Sequence, residues 1–128
     1  MYLLSTTANV SAVAPNRSLT TLLQYNFSAL ECRFLSARVI QVAAATDVPV
    51  PLEGISRLKV LALQTKPATT AGPIPNVDVS ISPTTTRTYT GVPGPFHLRT
   101  WNNPGLTVLE VWLRSPTPAL VEVCLAGD

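Results

Sequence analysis

Apolar and polar residues alternate with a period of two along several short runs of this chain. That is the rhythm of strands that bury one face. Residues 19–27 put Leu19, Thr21, Leu23, Tyr25 and Phe27 on one side and Thr20, Leu22, Gln24 and Asn26 on the other. Residues 34–43 alternate Phe34, Ser36, Arg38, Ile40 and Val42 with Leu35, Ala37, Val39, Gln41 and Ala43. The join between them, residues 28–33, reads as a turn or as a continuation after a bulge. Leu30, Phe34 and Ala37 also fit a short helix over residues 29–39. Residues 57–65 form the strongest internal strand. Leu58, Val60 and Ala62 face one way and Lys59, Leu61 and Leu63 the other, so both faces turn apolar in the middle. A central strand or an interface strand has that pattern.

The second half continues in the same manner. Residues 77–82 set Val77, Val79 and Ile81 inward against Asp78, Ser80 and Ser82 outward. Residues 96–101 give a short strand. Residues 106–114 direct Leu109, Val111 and Leu113 inward, after Thr107, with Glu110, Trp112 and Arg114 opposite. Residues 119–125 follow with Ala119, Val121, Val123 and Leu125 on one face and Glu122 and Cys124 on the other. A turn at residues 115–118 makes these last two strands a hairpin.

Proline and glycine punctuate the runs. Residues 46–54 carry Pro49 and Pro51 and read as an extended connection in which Leu52 plugs the core's edge. Residues 66–76 are a proline-rich loop, and Pro83 stops the preceding strand. Residues 84–90 suit a short strand or an exposed loop, and residues 91–95 a turn-rich joint. Pro104 and Gly105 make residues 102–105 a type II turn. The count is six to eight strands, which predicts an all-β fold, an antiparallel β-sandwich or barrel, with a jelly roll or another Greek key fitting the length. Residues 1–18 read as an extended N-terminal arm or edge strand, and 19–128 as a single sandwich domain.

Composition sharpens this picture. Charged residues are 12% of the chain and hydrophobic residues 46%, against about 25% charged in ordinary domains. The surface must therefore be built from Thr, Ser, Asn, Gln, Pro and small apolar groups. A net charge of +2 and arginines dispersed at 17, 33, 38, 57, 87, 99 and 114 do not make a phosphate-tracking face, so no nucleic-acid partner is expected. The start of the chain has no basic segment, and its apolar run is only Tyr2 to Leu4, unlike a secretory signal. The apolar stretch 39–50 is broken by Gln41, Thr46, Asp47 and Pro49 and is too short to span a bilayer, so no membrane role is expected. Cys32 and Cys124 lack metal spacing and read as buried thiols, with a disulfide as the alternative. Two N-glycosylation patterns, at Asn16 and Asn26, read as accidental without a leader.

Chemistry finds little purchase. His97 is the single histidine, and no nucleophile elbow accompanies it. Glu110 and Glu122 would approach one another on the expected hairpin, but Arg114 and Arg99 are equally good partners for them. There is no phosphate-cradling glycine loop. We therefore expect no enzyme, no cofactor, no metal and no catalytic residue. Trp101 and Trp112, with Arg99, Asn102 and Asn103 near the first, are candidate sugar platforms. Packing inside the domain or between subunits accounts for the same tryptophans.

Low charge and strands with two apolar faces instead favour burial against other protein. The runs ISRLKVLALQTK, VDVSI, FHLRTWNNPGLTVLEVWLRSP and ALVEVCLAGD, within residues 55–128, resemble small all-β virion proteins of tailed bacteriophages. What carries over is framework: Leu58, Val60, Val77, Val79, Leu109, Val111, Val121 and Val123. The resemblance implies a capsid cement or decoration protein, or a tail or head-fibre component, assembled as a dimer or trimer. Its partners would be the major capsid protein or other virion proteins. Its place would be the virion, after assembly in the host cytoplasm. The alternative is a carbohydrate-binding or adaptor module of a phage tail.

Overall fold

The computed structural model describes residues 1–69, 72–92 and 95–128, with side chains for all of these except residues 6, 8–10, 20 and 22–30. Thr70 and Ala71 of the expected 66–76 loop lie outside the described residues, as do Pro93 and Gly94 of the 91–95 joint. The side chains behind the two-face reading of residues 20 and 22–27 also lie outside them. The described residues contain no helix and eleven strands: β1 (Tyr2–Val13), β2 (Leu19–Cys32), β3 (Phe34–Val42), β4 (Val48–Pro49), β5 (Arg57–Pro67), β6 (Asp78–Ser82), β7 (Thr90–Gly91), β8 (Phe96–Thr100), β9 (Leu106–Thr107), β10 (Glu110–Arg114) and β11 (Ala119–Gly127). The count exceeds six to eight because three of these are two-residue edge pairings without a pattern of their own. The chain divides into two compact units, Met1–Cys32 and Arg33–Asp128.

Met1–Cys32 is a hairpin. β1 and β2 pair antiparallel from Tyr2 with Cys32 to Val13 with Leu19, with register shifts at Leu4/Thr6 and Val10/Ser11. Its turn follows from three residue types. Pro15 supplies the fixed φ of a type I turn, and Arg17 then takes the left-handed φ of 65° that closes a three-residue hairpin loop. Arg17 N–H donates to the Ala14 carbonyl at 2.8 Å, and Ala14 N–H to the Ser18 carbonyl at 2.9 Å. Asn16 Oδ1 accepts from both the Ser18 N–H and the Ser18 hydroxyl. The helix considered for residues 29–39 is absent. β2 runs to Cys32 and β3 starts at Phe34, the break falling at Arg33.

Arg33–Asp128 is an antiparallel β-sandwich. One sheet has the order β3-β11-β5-β8, with β9 also on β5; the other has the order β4-β10-β6-β7. The core lies between them. Leu58, Leu61, Leu63, Val121, Val123 and Leu125 of the first sheet join Val79, Val111 and Leu113 of the second in one apolar cluster. β5, with β11 on one side and β8 and β9 on the other, is central, as its doubly apolar middle predicts. Val77, Val79, Val111, Val121, Val123 and Leu125 are buried as read from their alternation.

Four expectations are corrected. β10 and β11 do not form a hairpin: β10 pairs with β4 and β6, and β11 with β3 and β5. Residues 115–118 cross from one layer to the other. The crossing sets the apolar faces of both strands against each other, whereas a hairpin would leave them side by side on one sheet. Leu109 is exposed, because the strand begins at Glu110 and Val108 takes the buried place before it. Ser80 and Ser82 are buried instead of outward, because the segment after Pro83 folds over them. Thr88 N–H donates to Ser80 Oγ, Thr84 N–H donates to Ser82 Oγ, and Ser82 Oγ donates to the Thr86 carbonyl. The turn at residues 102–105 is not type II. The Asn103–Pro104 bond is cis, and Gly105 N–H donates to the Asn102 carbonyl, the pattern of a type VI turn.

Gly127 shows why β11 must end as it does. A Cβ there would run into the Arg57 carbonyl, so only glycine lets the end of β11 close on the start of β5. Asp128 then ties several strands together. Its backbone carbonyl accepts from Ser56 and Arg57 N–H, and its carboxylate takes Lys59 Nζ at 2.7 Å and Arg33 N–H at 3.0 Å.

Candidate interaction surface

The residues singled out for chemistry do not converge. His97 sits on β8 opposite Leu63, half-buried, with Nε2 buried and without a hydrogen-bond partner. Burial and then the Arg99 charge push its pKa down, so the ring is neutral at pH 7. Glu110 and Glu122 stand in opposite sheets. Glu110 accepts from Trp112 Nε1 at 3.0 Å, and Glu122 pairs with Lys66 at 2.8 Å. Among the described residues, no group of three His, Cys, Asp or Glu side chains is placed to hold a metal ion. Cys32 and Cys124 are not joined in a disulfide. No helix among the described residues is long and apolar enough to cross a membrane, which does not bear on strands.

The tryptophans are partly engaged. Trp101 is half-buried against the core. Trp112 carries the Arg87 guanidinium 3.4 Å over its ring centre, a stacking that also holds Arg87 beside Asp47 at 3.0 Å. Arg114 lies 3.8 Å from the other Asp47 oxygen. Tyr89 completes the group. Burial, then the Asp47 carboxylate beside it, push its phenol up to about 12. This cluster draws on residues 47, 87, 89, 112 and 114, from segments distant in sequence. Nothing in the spacing of these residues announced it. Asp47 pairs with Arg87 and lies beside Arg114, and Arg87 stacks on Trp112, so the cluster clasps the segment after β6 to β10.

The other sheet leaves a different surface. On its outward face, Ala37, Cys124 and Ala62 are register neighbours across β3, β11 and β5. Their short side chains form the floor of an open trough of about 430 Å³, walled by Val39 and Phe96. Val39 is 62% exposed and Phe96 57%. Around it, ionic groups are paired: Lys66 with Glu122, and Arg38 with Glu53. Burial pushes the Cys124 thiol up from its ordinary value. Part of this face was legible. The Leu35, Ala37, Val39 set and the Cys124 face of the last strand are the second apolar faces that the alternation leaves over. What periodicity does not give is strand order, and only that order brings Ala37, Cys124 and Ala62 into one row.

The hairpin also exposes apolar side chains, Leu3 toward its open end and the register partners Val13 and Leu19 beside its turn. Leu3, Val13 and Leu19 are 69%, 68% and 66% exposed, and Tyr2 is also exposed. No protein-family model, curated protein or solved structure matches this chain.

Proposed function

We propose that this chain is a structural subunit that works by binding other protein, and that its place is the virion of a tailed bacteriophage, as a cement or decoration protein bridging neighbouring shell subunits. The observation that carries the reading is the Met1–Cys32 hairpin. It is a compact unit of two long strands, and among the described residues no third strand pairs with it. A two-stranded ribbon in water is marginally stable, and it presents unpaired backbone edges that ordinary monomers cover or charge. Between Met1 and Cys32 the only charged side chains are Arg17 and Glu31. Such a ribbon suits lying on another protein and suits free solution poorly. The apolar trough on the sandwich supports the same reading, because it gives the subunit a second contact. Two weak contacts carried by one chain raise effective affinity through multivalency. The virion setting rests on the resemblance of residues 55–128 to phage structural proteins.

The test is cosedimentation. Purified protein mixed with assembled shells of the phage that encodes it is expected to pellet with them and to raise their resistance to heat. Protein that binds neither shells nor isolated virion subunits overturns the proposal.

A further inference from the structure

The trough and the hairpin belong to the same chain, and each lacks what the other offers. The trough has a floor of Ala37, Cys124 and Ala62, low enough to receive larger side chains, between the apolar walls Val39 and Phe96. The hairpin has exposed Leu3, Val13 and Leu19 and almost no charge. We propose that two copies exchange hairpins, each laying its β1–β2 ribbon on the outward face of the partner copy's β3-β11-β5-β8 sheet. This rests on the reading of the chain as an assembly subunit and supplies that subunit's first partner, a second copy.

The area closes on such a pair. Twelve residues of strand at roughly 3.3 Å each give a ribbon about 40 Å long, and two strands make it about 10 Å wide. The nine-residue strands β3 and β11 make the receiving sheet about 30 Å long, so one ribbon face covers roughly 300 Å² of it. In a reciprocal exchange each copy buries one ribbon face and one sheet face, roughly 600 Å² per partner, which reaches the lower bound of a stable interface. A single unreciprocated contact would reach half of that. Charge agrees as well. The ionic groups at the trough are already paired with one another, so a neutral ribbon strands none of them. The exchange is two-fold symmetric, the commonest closed arrangement of identical chains.

Light scattering on the full chain over a dilution series is expected to give twice the 13.7 kDa chain mass, falling to one at low concentration. Val39→Glu on the face and Leu19→Glu on the hairpin change exposed positions, so both variants should keep the β circular dichroism of the parent. Each is expected to raise the dissociation constant by roughly a hundredfold, because each buries an unpaired carboxylate. Phe96→Glu replaces Val39→Glu should that variant lose its β signal. Mixing the face variant with the hairpin variant should recover part of the dimer, since the former's intact hairpin meets the latter's intact face. Wild-type chain that is monomeric at every concentration overturns the exchange, and so does a mixture that recovers nothing. Cosedimentation of the same samples separates this from the wider role. A monomer that still pellets with shells removes the exchanged dimer and leaves shell binding standing. A dimer that passes the mixing test but ignores shells keeps the exchange and removes the shell role.

Discussion

Single residues set several limits that can be measured. Gly127→Ala places a methyl group in the Arg57 backbone, which cannot yield as a flexible side chain would. We expect a loss of about 1–3 kcal/mol, read from the urea midpoint at unchanged slope. Cys124 should alkylate slowly at neutral pH, because its raised pKa leaves little thiolate. Its iodoacetamide rate should level off at a higher pH in the folded protein than in the urea-unfolded chain; a plateau at the same or a lower pH contradicts the burial argument. Tyr89 should ionise near pH 12 in an ultraviolet titration. Its folded pKa is raised, so the folded state binds the extra proton. Stability from this group is present below pH 10 and is lost as pH climbs from 10 to 12. Asp128 runs the other way. The Lys59 ammonium and the Arg33 amide hold its carboxyl below the ordinary value, so its contribution is present above pH 3.8 and fades as acid carries pH through the lowered value. Asp128→Asn should flatten the acid limb of a stability–pH curve, and an unaltered limb would show that the tie is idle.

Elements show where the two-residue rhythm suffices and where it stops. Alternation located β3, β5, β6, β10 and β11, and it named the buried side of β11 without error, because one face of each meets the core. It failed where a second layer intervenes. Ser80 and Ser82 look solvent-facing on pattern alone, yet the residues after Pro83 bury them and use their hydroxyls as backbone partners. Ser80→Ala should therefore cost roughly 1–3 kcal/mol in chemical denaturation, the penalty for leaving the Thr88 amide without its acceptor. An exposed serine would give nearly nothing. The pairing of β10 with β11 failed for a related reason. Short turn-rich connections are written alike whether they return beside the same strand or cross to the opposite sheet. The distinction is made by the apolar faces that must meet, which is a property of the assembled layers. β1 was legible only as an arm or an edge strand, because Tyr2–Val13 has too little alternation to name a partner.

At the scale of the whole molecule, the sandwich draws its stability from one apolar cluster supplied by both sheets. Leu113, fully buried on β10, faces that cluster. Leu113→Ala should cost about 2–5 kcal/mol in a single cooperative transition of the Arg33–Asp128 unit, followed by calorimetry. The candidate interaction surface was half visible beforehand. Low charge and two-sided strands announced that apolar area would be left over, but its location needed the strand order.

That order also fixes a sequence of events. β3 and β5 never touch as neighbours; β11 lies between them and hydrogen-bonds to both. While the ribosome still holds residues 119–127, β3 and β5 have been translated but lack their shared neighbour. The sheet therefore closes only after those residues clear the exit tunnel, and nascent chains stalled before that point should remain open to proteases and in need of a chaperone.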